Sequence, residues 1–110
     1  MYTIISEKLI YQYFGHDDPE MIKNMIKIIL ETSIQDLKEL TIYYENFDFQ
    51  TIKKRCHKAK PSMSYIGALS SKKLLEEIEA NLDNSYELNI RLQKELNTIE
   101  SELQEFQKRL

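Results

Sequence analysis

Apolar residues return along this chain at steps of three and four over most of its length, the spacing that lines one face of a helix. Ile5, Leu9, Ile10, Tyr13 and Phe14 predict a short amphipathic helix over about residues 4–14, with Ser6 as its N-cap and Gly15 as its stop. Asp17-Asp18-Pro19-Glu20 is a helix start: an Asp cap, a proline in the first turn and an acid near the positive end of the dipole. From there Ile22, Met25, Ile26, Ile29, Leu30, Ser33, Leu37, Leu40 and Tyr44 predict one long helix over about 19–45. Asn46-Phe47-Asp48 breaks it, and Asp48 is placed to cap a third helix whose apolar side is Ile52, Cys56, Ala59, Met63 and Ile66. Lys53, His57, Lys60 and Ser64 fall on a neighbouring, more exposed stripe of that helix. Gly67-Ala68-Leu69 turns the chain, Ser70 or Ser71 is the expected cap of a fourth helix, and Leu74, Leu75, Ile78 and Leu82 are its inward residues. After a break at Asp83-Asn84-Ser85, the last helix carries Leu88, Leu92, Leu96, Ile99, Leu103, Phe106 and Leu110. The expectation is an all-α fold: an antiparallel four-helix bundle with a short additional N-terminal helix, in one domain over residues 1–110.

Composition narrows the function classes. With 110 residues, the chain holds a modest core but no large enclosed active site. The two glycines and two prolines leave little turn chemistry for strands. A formal net charge of −3 is a poor match for nucleic acid. Locally the balance reverses, because Lys53, Lys54, Arg55, Lys58 and Lys60 surround His57 with no acid between residues 53 and 60. The single Cys56 has no internal disulfide partner and reads as a packed small apolar residue in a reducing, cytoplasmic setting. No signal peptide is expected at the N-terminus, and no apolar run is long enough for a bilayer. His16 and His57 are not at metal-ligand spacing, and one cysteine is too few for a structural zinc site, so no metal is assigned.

The candidate chemistry lies in Cys56-His57-Lys58-Ala59-Lys60-Pro61-Ser62-Met63-Ser64-Tyr65-Ile66-Gly67-Ala68. Lys60, three residues after His57, shares its helix face. A neutral imidazole offers a nucleophilic nitrogen at neutral pH without a dedicated base, and the same nitrogen is a reasonable leaving group. A neighbouring ammonium balances the charge of phosphoryl oxygens during transfer. Lys60 supplies that cation by spacing, and Lys53, one turn before His57, adds to it. The remaining cations read as a solvated or docking face. Cys56 and His57 do not form a dyad, because adjacent helical residues diverge by roughly 100°.

These residues resemble the histidine-containing phosphotransfer (HPt) domains of multistep two-component relays. In that family a helical His is followed by a Lys three residues later and a Gly ten residues later, as His57, Lys60 and Gly67 are here, and Ala68 follows Gly67 as is common there. The helix order also matches along essentially the whole chain. The resemblance implies that His57 accepts a phosphoryl group from an aspartyl phosphate on one receiver domain and passes it to another. It implies response-regulator receivers and a hybrid histidine kinase as partners, and a monomer without membrane or nucleic-acid contact. The domain carries no cofactor or nucleotide site and is not an enzyme in the ordinary sense; the assisting Mg²⁺ belongs to the receiver. Lys53, Pro61, Ser64 and Gly67 are the implied docking residues. Two positions depart from the pattern. Pro61 stands where the family usually has Gly; it removes a hydrogen bond to the His57 carbonyl and is expected to kink the helix. Glu79 stands where some relatives place a Gln that hydrogen-bonds the histidine; a carboxylate there orients the ring and repels the incoming phosphoryl group.

A lone helical histidine is ordinarily just a surface residue. Lys60, Gly67 and the helical plan move the reading to phosphotransfer. The rival class is a helical adaptor that binds a partner without phosphate chemistry, for which Pro61 is the main argument. A third reading is self-association of the last helix as a coiled coil.

Overall fold

The computed structural model describes residues 2–110, all of whose regular structure is helical. The Ser6 side chain accepts the Leu9 amide at 3.2 Å and starts α1 (Glu7–Phe14), which ends at Gly15 with φ +78°. Asp18 accepts the Met21 amide at 3.0 Å, and Pro19 opens α2 (Pro19–Glu31).

The single helix expected over 19–45 is instead three segments: α2, α3 (Ser33–Lys38) and α4 (Leu40–Glu45). The reason lies in the apolar spacing. The buried residues step by four, three and then five, through Ile22, Ile26, Ile29 and Ile34, and a step of five overshoots one helical turn. The backbone absorbs the extra residue at Thr32 (φ −114°, ψ −80°), whose hydroxyl bonds back to the Ile28 carbonyl at 2.7 Å. Ile34 is therefore the core residue, while Ser33 is half-buried and meets the Ser62 hydroxyl at 2.8 Å. A second tightening at Glu39 carries an Ile42 amide bond back only three residues.

The link to α5 (Phe49–Tyr65) closes with Phe47 in the left-handed region (φ +54°): its amide bonds Tyr44 O and the Asp48 amide bonds Tyr43 O, a Schellman pair. Asp48 then caps α5. The same motif ends α5. The Gly67 amide bonds Ser64 O at 3.1 Å and the Ala68 amide bonds Met63 O at 2.9 Å, with φ +70° at Gly67. A β-carbon on Gly67 would also lie 2.5 Å from Ser6 Cβ and 3.1 Å from Leu9 Cβ. Gly67 is thus buried under α1 and shapes the turn.

α6 (Leu69–Ala80) follows at once, with Ala68 at its N-cap position. Neither expected serine caps it. Ser70 and Ser71 hydroxyls donate across to Glu95 of α7 (Tyr86–Arg109) and tie the two helices together. Leu82 lies in a 3-10 turn (Leu82–Asn84) and is half-buried. α5 packs most extensively on α6 and also on α3 and α4; α7 closes the other side against α6, α2 and α3. Leu92, Leu96, Ile99, Leu103 and Phe106 from α7 complete a core continuous with Ile52, Cys56, Ala59 and Met63 from α5. The body is 44 × 20 × 19 Å, its long axis consistent with the ~36 Å of a 24-residue helix. Among the described residues no helix is long and apolar enough to cross a membrane.

The N-terminal segment is fastened to α7 by Glu102. Its carboxylate accepts the amides of Thr3 (2.6 Å), Ile4 (3.0 Å) and Ile5 (3.1 Å). Burial pushes this carboxyl up, but the three amides and the Thr3 hydroxyl outweigh it and hold the group below its ordinary value. A depressed folded-state value means stability that is present above the unfolded value of ~4.3 and lost as pH falls through the folded one. Glu102→Gln is expected to cost about 1–3 kcal/mol at neutral pH, with the difference from wild type shrinking in acid; urea unfolding across pH checks it, and a pH-independent difference contradicts it. Gly67→Ala is expected to cost about 3 kcal/mol, from backbone strain plus the steric clash. It should cost more than Gly15→Ala, whose methyl meets nothing within 4 Å; equal losses in urea unfolding would contradict the close approach.

Candidate functional site

Burial of Ile52, Cys56, Ala59 and Met63 fixes the rotation of α5. The opposite stripe, with Lys53, Lys54, His57 and Pro61, is turned to solvent. The His57 side chain is 74% exposed. α5 continues through Pro61 as one helix to Tyr65, so the missing amide does not end it. Arg55 faces the other way. Its guanidinium meets Glu39 at 2.7 Å and the Asp36 carbonyl at 2.9 Å, and stands over the Tyr43 ring, so it staples α5 to α3 and α4.

The α5–α6 packing brings Glu79, in the last turn of α6, against His57 and Lys60. Glu79 Oε2 lies 3.3 Å from His57 Nδ1, at the long end of hydrogen-bond distance. Oε1 lies 2.9 Å from Lys60 Nζ. That second contact is an ion pair bent away from hydrogen-bond geometry, which leaves Oε1 shut from solvent with charge compensation but no hydrogen bond. Glu79 is 15% exposed and Lys60 24%. The carboxylate is thus set in a partly desolvated position, where charge interactions are stronger than in water.

An ionised carboxylate only accepts, so the hydrogen of the Glu79 contact belongs to Nδ1. The Nε2 lone pair is then the one presented outward, a tautomer assigned from donor and acceptor chemistry. His57, Lys53, Lys54, Gln50 and Glu79 line a shallow open concavity. Lys53, Lys54 and Lys58 are exposed and form no ion pair among the described residues, so their charge is available to an approaching anion.

The structure therefore brings His57, Lys60 and Glu79 together, with Lys53 on the same rim. Pro61 lies one turn along α5, exposed. Ser64 is half-buried, seven residues and about 10 Å along the axis from His57, and Gly67 is buried beyond it. Gln50 was not anticipated from the sequence, although residues 50, 53, 54 and 57 follow the one-face spacing. The ion pair between Lys60 and Glu79 was also not anticipated; its signal was that both positions were already assigned to the same histidine. Cys56 sits under the site, buried and free. Burial, and then the Glu79 charge, push its thiol up to about 12 against a smaller opposing effect of Lys60, so it is not a nucleophile. His16, in the link between α1 and α2, stacks on Tyr11 at 4.3 Å and is remote from the site in sequence. No group of three or more metal-ligating side chains occurs among the described residues.

Comparison with known proteins finds no matching family model, no similar curated protein and no similar solved structure.

Proposed function

We propose that this chain is a histidine phosphocarrier of the HPt type, with His57 as phosphoacceptor. The observation that carries the reading is an exposed imidazole whose Nδ1 faces Glu79 and whose neighbouring cation is Lys60. The fold proposed with it is an antiparallel four-helix bundle with α1 as the short leading helix, α2–α4 together forming its first long member. In the forward step the Nε2 lone pair forms a bond to phosphorus of an aspartyl phosphate. The O–P bond breaks and its electron pair returns to the receiver's carboxylate. The ring gains positive charge with its proton on Nδ1, facing Glu79. Onward transfer reverses these changes on a second receiver. Mg²⁺ at the receiver screens the phosphoryl oxygens. Lys60, with three donors, has capacity for a phosphoryl oxygen beside its contact with Glu79. The unpaired Lys53, Lys54 and Lys58 favour an acidic partner surface such as the receiver's carboxylate cluster. A hybrid kinase upstream, a monomeric state and a cytoplasmic location belong to the same proposal.

A second reading, a helical adaptor without phosphate chemistry, draws on the engagement of Lys60 by Glu79 and on the bulk of Pro61 beside the ring. Incubation with phosphorylated receiver domains, followed by intact mass, separates the two. Phosphotransfer predicts a gain of one phosphoryl group that is acid-labile and base-stable once the chain is denatured, abolished in His57→Gln and slowed about 10-fold or more in Lys60→Ala. Labelling retained in His57→Gln, or absent from the wild type with every receiver offered, would contradict it.

A further inference from the structure

A phosphorylated histidine differs from a free one in what its second nitrogen must do. When the Nε2–P bond breaks, its electron pair goes to Nε2. If Nδ1 carries a proton, the departing group is neutral imidazole; if not, it is imidazolate, a far poorer leaving group. The ease of transfer therefore depends on whether Nδ1 keeps its proton while Nε2 holds phosphate.

Here the group facing Nδ1 is a carboxylate, at 3.3 Å and 15% exposed. It is held on its other oxygen by Lys60 and carried on the helix that packs most extensively against α5. We infer that Glu79 sets the lability of phospho-His57 by retaining the Nδ1 proton, which keeps the ring a good leaving group into alkaline solution. The inference rests on the reading of His57 as phosphoacceptor. Of the charges around the ring, Lys53, Lys54, Lys58 and Lys60 on α5 oppose a positive imidazole. On α6, Glu76 lies one turn before Glu79, and Asp83 in the 3-10 turn lies one turn beyond; both are exposed and neither contacts the ring. The Glu39 carboxylate, between α3 and α4, is paired with Arg55, whose guanidinium also takes the backbone carbonyl of Asp36 on α3; neither carboxylate contacts the ring. Among the described residues Glu79 is thus the one carboxylate in contact, and it acts against four lysines. A glutamine in its place would still accept from Nδ1, but without negative charge. Glu79 is accordingly a positioning residue: it touches the ring and not the phosphoryl group.

The test loads His57 with phosphoramidate, a small phosphoryl donor that needs no receiver, and follows loss of phosphate by intact mass from mildly acid to alkaline pH. Wild type is expected to keep its fast rate to higher pH. In Glu79→Gln the alkaline fall should move down by about one pH unit, so that phospho-His57 there outlives wild type roughly tenfold. Glu79→Asp, which keeps the charge, should stay near the wild-type profile, and Glu76→Gln should match it. Should Glu79→Gln not fold, the Glu79→Asp and Glu79→Ala profiles decide by the same criterion. Coincident profiles for the charged and uncharged variants, or a shift to higher pH on removing the charge, would overturn the inference. Failure of all receivers to label the chain would overturn the relay reading alone, since the chemically loaded ring still reports the profile.

Discussion

One carboxylate organises the candidate site. Glu79 reaches His57 Nδ1 with one oxygen and Lys60 Nζ with the other, across the α5–α6 contact. Without it, an imidazole 74% exposed to solvent would have no protein partner to choose its tautomer, and Lys60 would have no reason to lie against the helix pair. The contact is long on the histidine side and short on the lysine side. Lys60 therefore fixes the carboxylate, and the carboxylate in turn orients the ring.

That arrangement depends on the register between α5 and α6, which the turn at Gly67 sets. The Schellman bonds at Ser64 and Met63 end α5, the positive φ reverses the chain, and the absence of a β-carbon lets α1 pack directly onto the turn. Twelve residues separate Gly67 from Glu79, and ten separate it from His57, so the two side chains meet about three turns from the reversal. The glycine contributes to the site through geometry, from a buried position. On the core side of the same helix, Cys56 and Ala59 are small and buried.

Much of this was legible in the residues. The faces of α5, the caps at Ser6, Asp18 and Asp48, and the closures at Gly15 and Gly67 all follow from local chemistry, because helix ends have few ways to satisfy their free amides and carbonyls. The exposure of His57 followed from the burial of Cys56 next to it. Two kinds of feature were not legible. The division of 19–45 into three segments depends on a five-residue step that reads as mere irregularity until Ile29 and Ile34 are both seen in the core. The roles of Ser70 and Ser71 depend on Glu95, a residue 24 positions or more away on another helix, and no local pattern announces such a bond. At the site, counting from Gly67 located Glu79, but its ion pair with Lys60 is a tertiary fact, set by how two helices pack.

By this arrangement Glu79 holds the His57 proton on Nδ1 and leaves the Nε2 lone pair outward. The direct measurement is the pair of ring ¹⁵N shifts of His57 at a pH where the imidazole is neutral. A pyrrole-like, protonated Nδ1 and a pyridine-like Nε2 are expected, with the preference lost in Glu79→Ala. A protonated Nε2 in the wild-type protein, or a tautomer ratio indifferent to position 79, would contradict it.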